Sequence, residues 1–227
     1  MLKPQKDPAM ARAYNDCFHL LTKHYYETGD AVNREHLVST YKDLLTVFLS
    51  GRLPTSSGLN IRFLQTVFEQ CPALAWSLQK PVLRCFLAKE SKTDKTSKGS
   101  RSNHQRIQAI ELYQLLIRVA QKDAAAKTIL AKNFALLAGV IGKVINSAET
   151  WENKKVKKTG LCVGLYAKAA KVLLSNEVAV DFEEDVKKLI SEAGVKLVSE
   201  LEAAIEKDKT MSNMKGKIKE IKKVIEL

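Results

Sequence analysis

Apolar residues recur at helical spacing along nearly the whole chain. Tyr14, Cys17, Phe18, Leu21 and Tyr25 fall at i, i+3, i+4, i+7 and i+11, and Leu37, Tyr41, Leu44, Leu45 and Phe48 follow a similar series. Phe134, Leu137, Ile141, Val144 and Ile145 form a third set, and Val186, Leu189, Ile190, Ala193, Leu197 and Leu201 a fourth. A helix turns every 3.6 residues, so each set lies on one face and needs a partner to bury it. No stretch alternates as a sheet would demand. The pattern predicts an all-α protein.

Helix punctuation divides the chain into about nine helices. Asp7-Pro8 reads as a cap followed by Pro at the first helical position, and that helix stops at Gly29. Asn33 and Asn60 are expected to cap the second and third helices, which end near Gly51 and at Pro72. Pro81 predicts a break, with a fresh helix from Pro81 to Lys89. The stretch Ser91 to Asn103 has no apolar residue and reads as a mobile polar loop. Asn103, Asp123 and Asp181 are expected to cap later helices, with another between Trp151 and Leu174. In a final helix, Met214, Ile218, Ile221 and Ile225 share one face.

Paired in order, these helices make hairpins beginning near residues 8, 60, 104 and 152. That spacing approaches the roughly 40–47-residue period of HEAT and armadillo arrays. The expected architecture is a HEAT/armadillo-like helical-hairpin stack, with an irregular helical bundle as the alternative. We expect a single helical-repeat domain over 1–227, with the mobile loop at 91–103 and a basic helical tail at 208–227.

Charge sharpens this picture. The chain has 227 residues and a net charge of +12, which favours acidic partners. The excess is regional. Lys154, Lys155, Lys157, Lys158, Lys168 and Lys171 lie in a stretch free of acids from Asn153 to Lys171. Two more basic stretches run from Lys89 to Arg106 and from Lys207 onward. The six lysines from Lys154 to Lys171 are the candidate surface for nucleic acid or an acidic partner. Phosphates need only positive charge in reach. The plain alternative is a solvated lysine face.

Residue chemistry argues for no reaction. His19 and His24 are five apart and read as surface or edge histidines, and no zinc-protease spacing is present. Cys17, Cys71, Cys85 and Cys162 sit in apolar helical patterns and read as buried reduced thiols. Gly139 with Gly142, and Gly160 with Gly164, suggest close helix packing rather than a phosphate loop. No catalytic residue, metal ligand or cofactor is expected. No apolar run is expected to approach the ~20 residues that span a bilayer, and no membrane partner is expected.

The stretch from Ile61 to Trp76, Pro81-Val-Leu-Arg84, and the run from Arg101 to Leu112 resemble the C-terminal helical part of the Myb-binding protein 1A family, also called the DNA polymerase phi group. The resemblance covers about residues 57–119. It implies a nucleolar protein of helical repeats that acts in ribosomal RNA transcription and ribosome production and binds transcription regulators. Polymerase activity is not expected, because no metal-binding Asp pair appears. The chain lacks the long acidic tract and very basic tail of full-length members, so a fragment or short relative is expected. The combined reading is a non-catalytic interaction scaffold, nuclear and nucleolar, whose partners are transcription or ribosome-assembly proteins. The alternative is a module that binds RNA or DNA directly through the lysine surface.

Overall fold

A computed structural model describes residues 8–49, 64–69, 71–87, 99–147, 152–175 and 184–226. For 8–12, 14, 15, 46–49, 99–105, 152–157 and 184 it describes the backbone alone. Every regular element among the described residues is helical. In chain order these are α1 (Pro8–Thr28), α2 (Ala31–Leu49), a helical segment over 64–69, α3 (Pro72–Ser77) and α4 (Gln79–Phe86). Then come α5 (Gly99–Lys122), α6 (Ala124–Ile145), α7 (Glu152–Leu174), α8 (Glu184–Lys207), a 3-10 turn (Lys209–Met214) and α9 (Lys215–Ile225).

Local chemistry sets these limits. α1 stops at Gly29, where a Cβ would stand 2.5 Å from the Tyr25 carbonyl oxygen. Asp30, not Asn33, begins α2: its carboxylate accepts from the Asn33 amide at 2.8 Å, and Asn33 lies inside the first turn. Pro72 occupies the start of α3, where a missing donor costs nothing. The chain then turns at Leu78, and α4 begins at Gln79, two residues before Pro81. Pro81 thus sits within the first turn, whose N–H groups have no intrahelical partner anyway. Asp123 caps α6 as expected, accepting from Ala126 N at 2.7 Å. α5 starts at Gly99, so 99–103 is helix rather than loop. The rest of the expected loop, and the caps Asp7, Asn60 and Asp181, lie outside the described residues.

The central helices pack on the next but one, and on their neighbours in sequence except where α8 follows α7. α5 contacts α4, α6 and α7; α6 contacts α5, α7 and α8; α9 contacts both α7 and α8. The buried apolar groups join into one cluster extending from Tyr41 to Val224. Aromatic edges stitch it together. Tyr113 meets Trp76 and Phe86 edge-on with ring centroids 6.4 and 6.2 Å apart, tying α3 and α4 to α5. Phe134 lies 5.3 Å from Tyr166 between α6 and α7. The Tyr166 hydroxyl donates to the Ile190 carbonyl at 2.6 Å, reaching α8.

The apolar set on α6 is buried throughout, with Phe134, Leu137 and Ile141 fully sealed. The set on α1 is not. Phe18, Leu21 and Tyr25 are half or more exposed, while His19 and Thr22 are buried. Burial holds the His19 imidazole below its usual pKa, partly offset by Asp16. Thr22 and the Tyr41 hydroxyl are 3.0 Å apart, and burial pushes Tyr41 up to about 12. On α2, Tyr41 and Leu45 point inward and Leu44 stays 38% exposed.

The C-terminal basic segment is a packed element rather than a tail. Met211, Met214, Ile218, Ile221 and Val224 are all buried. Asp208 caps the 3-10 turn by accepting from Thr210 N at 3.0 Å.

One expectation about apolar length is corrected. Among the described residues α6 is long and apolar enough to cross a membrane, by length and composition. Its position explains its character: it packs against α5, α7 and α8, and so carries apolar groups on several sides.

Candidate interaction surface

Lys168 and Lys171 lie exposed on α7. With Arg118, Gln114 and Gln121 of α5 they line a groove of about 360 Å³, floored by Ile117 and Val172. The spacing is helical on both walls: 114, 117, 118 and 121 face 168, 171, 172 and 175. Among the described residues no acid lines the groove. Ser175 closes one end, and its carbonyl accepts from the Lys127 ammonium at 2.6 Å. Lys127 is itself buried, on α6. It therefore places a cation on the C-terminal end of α7, where carbonyls lack helical partners and the helix dipole is negative.

Three of the six candidate lysines have described side chains. Lys168 and Lys171 share the groove, whereas Lys158 is only 8% exposed and lies on the core side of α7. Its charge offsets part of the burial effect on Cys162. Lys at 154, 155, 157 and 158 spread over about half of a helix's circumference, and Lys158 falls at the part of that arc that meets the core. Lys154, Lys155 and Lys157 have helical backbone, and their side chains lie outside the described residues, as does Trp151.

Lysines on α9 are partly committed to ion pairs. Lys217 binds Glu220 at 2.6 Å and Lys222 binds Glu202 at 3.2 Å. Exposed pairs of this kind contribute little stability.

A second groove, of about 500 Å³, runs between α6 and α8 past Ala135, Ala138, Gly139 and Gly142 on one side and Leu189, Ala193 and Glu200 on the other. Gly142 allows the close approach: a Cβ there would stand 2.6 Å from the Glu200 carboxylate. Gly139 faces open space, so the expected glycine pairing holds at only one of the two positions.

The cysteines divide by environment. Cys71 and Cys162 are buried, Cys85 is half-buried and Cys17 is exposed, contrary to the expectation of four buried thiols. Burial raises Cys71, pushes Cys85 up to about 11 and pushes Cys162 up to about 12. At pH 8 the Cys162 thiolate is on the order of one part in ten thousand. Native labelling with iodoacetamide should therefore modify Cys17 first, Cys85 slowly, and Cys71 and Cys162 only after denaturant is added. Four equal rates on the folded protein would contradict the packing described.

Among the described residues, no three His, Cys, Asp or Glu side chains are grouped to hold a metal ion. What fold and surface define is an all-helical protein with solvent-facing grooves and an exposed apolar helix. The chain matches no family model, no curated protein and no solved structure.

Proposed function

We propose that this protein is a non-catalytic interaction scaffold built as a HEAT/armadillo-like stack of helical hairpins. Packing of α5 on α7, α6 on α8 and α7 on α9 supports the stack, because layered hairpin arrays bury their faces against the next but one. The observation that carries the scaffold reading is the exposed apolar side of the N-terminal hairpin. Leu20, Leu21 and Val32 are 64%, 66% and 75% exposed. Large apolar groups left in water at this density are what a partner protein would cover. The resemblance over 57–119 gives the setting: the nucleus and nucleolus, with partners in ribosomal RNA transcription, transcription regulation and ribosome assembly.

Direct binding of RNA or DNA is the second reading, favoured by the uncompensated cations Arg118, Lys168 and Lys171. Affinity capture from nuclear extract, with and without nuclease, separates the two. A scaffold keeps its protein partners after nuclease treatment. Loss of those partners, together with a salt dependence of about 0.7–0.9 in log–log slope per phosphate contact, would replace the first reading with the second.

A further inference from the structure

We infer that the α5–α7 groove receives an acidic amphipathic helix of a partner protein, with its leucines over the groove floor and its glutamates on Arg118, Lys168 and Lys171. The inference rests on the scaffold reading and gives that scaffold a docking site.

Charge is the first argument. Arg118 stands on one wall, and Lys168 and Lys171 on the other. α5 carries no acid between Glu111 and Asp123, and α7 carries none from Asn153 onward. Two helix C-termini end nearby, and each brings about half a negative charge. Their total of about one charge is smaller than three full cations, and Lys127 already sits on the α7 carbonyl end at Ser175. The groove therefore stays positive.

Shape is the second argument. Ile117 and Val172 close the floor with carbon, and the stems of Arg118, Lys168 and Lys171 extend that carbon up the walls. Seven residues separate the ends of each lining row, which gives about 10 Å of length at 1.5 Å per residue. A furrow of that length between two helices takes two turns of a third, packed ridge into groove. Among the described residues no aromatic side chain lines it, so an unpaired base finds no stacking partner there. A sugar–phosphate backbone would satisfy the cations and leave the carbon floor unused. Leucines at i, i+3, i+4 and i+7, flanked by glutamates, use both.

Fluorescence anisotropy on the 227-residue chain tests this. The probe is a labelled 14-residue peptide with leucines at those positions and glutamates flanking them. The comparison peptides replace Leu with Ser or Glu with Lys, and oligouridine serves as competitor. The wild-type protein should bind the Leu/Glu peptide and neither comparison peptide. Arg118→Glu combined with Lys168→Glu and Lys171→Glu should weaken binding by roughly tenfold or more, the equivalent of about 1.4 kcal/mol. The gentler pair Lys168→Gln and Lys171→Gln should weaken it less, and Lys168→Arg should retain it. Circular dichroism melts confirm that each variant is folded.

No binding by the wild-type protein, or equal binding by the reversed variants, overturns the inference. So does Ser-for-Leu peptide binding as tightly as the parent. Oligouridine that displaces the peptide and loses affinity in the same variants overturns it in favour of a phosphate backbone. Nuclease-resistant partners that persist on the groove variants would leave the scaffold standing with its docking site elsewhere.

Discussion

Leu137→Ala is expected to cost about 2–5 kcal/mol of unfolding free energy, and Leu44→Ala less than about 1 kcal/mol. Both leucines belong to helical apolar series of the same appearance in the sequence. Leu137 is fully buried at the centre of α6, between helices on several sides, so its removal leaves a cavity that rigid neighbours cannot fill. Leu44 is 38% exposed on α2, and its truncation mainly trims surface that water already reaches. Urea denaturation of the two variants measures the difference directly. Equal losses would mean that α2 buries a different face from the one described.

Two mid-helix glycines should respond to substitution with opposite signs. In a helix interior Ala is favoured over Gly by about 1 kcal/mol. Gly139 lies in α6 with nothing within 4 Å of where a Cβ would stand, so Gly139→Ala should stabilise by up to about 1 kcal/mol. Gly194 lies in α8, where a Cβ would stand 2.5 Å from the Tyr166 hydroxyl and would collide with the Ile225 side chain. The Tyr166 hydroxyl cannot move freely, because it donates to the Ile190 carbonyl at 2.6 Å. Overpacking of this kind costs about 1–3 kcal/mol, which exceeds the helix gain. Gly194→Ala should therefore destabilise. Gly194→Val, bulkier and a poorer helix former, should cost about 3 kcal/mol or more. Thermal melts of all three variants are the check, and stabilisation by Gly194→Ala would refute the close contact of α7, α8 and α9.

The elements that were legible in the sequence are those with neighbours on several sides. Periodicity shows which residues share a face, and α6 has partners on several sides, so the set from Phe134 to Ile145 is buried even though Leu136 is 39% exposed. Periodicity does not show which face meets the core. On α1 the apolar stripe faces water, and the core side is built from His19, Thr22 and the half-buried Tyr26. Caps were legible where one candidate stood alone, as Asp123 does. Near α2 two capable residues lie three apart, and the amide of Asn33 serves as donor to the Asp30 carboxylate.

The groove was half legible. Lys168 and Lys171 stand out in a run without acids, but Arg118 lies fifty residues before Lys168 in sequence and in no basic run. Only the packing of α5 on α7 brings these cations together. Lys127 was invisible for the same reason: it lies in no basic run, and its acceptor, the carbonyl of Ser175, is 48 residues away in sequence.

The N-terminal hairpin sets an order of local opening. α2 is anchored by Tyr41 and Leu45 and packs on α4 and α5. α1 packs on α2, and its fully buried described side chains are His19 and Thr22. Among the described side chains, lifting α1 away gives up the Thr22–Tyr41 contact and little buried carbon, while α5 to α9 keep theirs. Amide exchange with solvent should follow that hierarchy, fastest along α1 and slowest in α6, so that one end of the molecule can loosen and close again without any cost to the other.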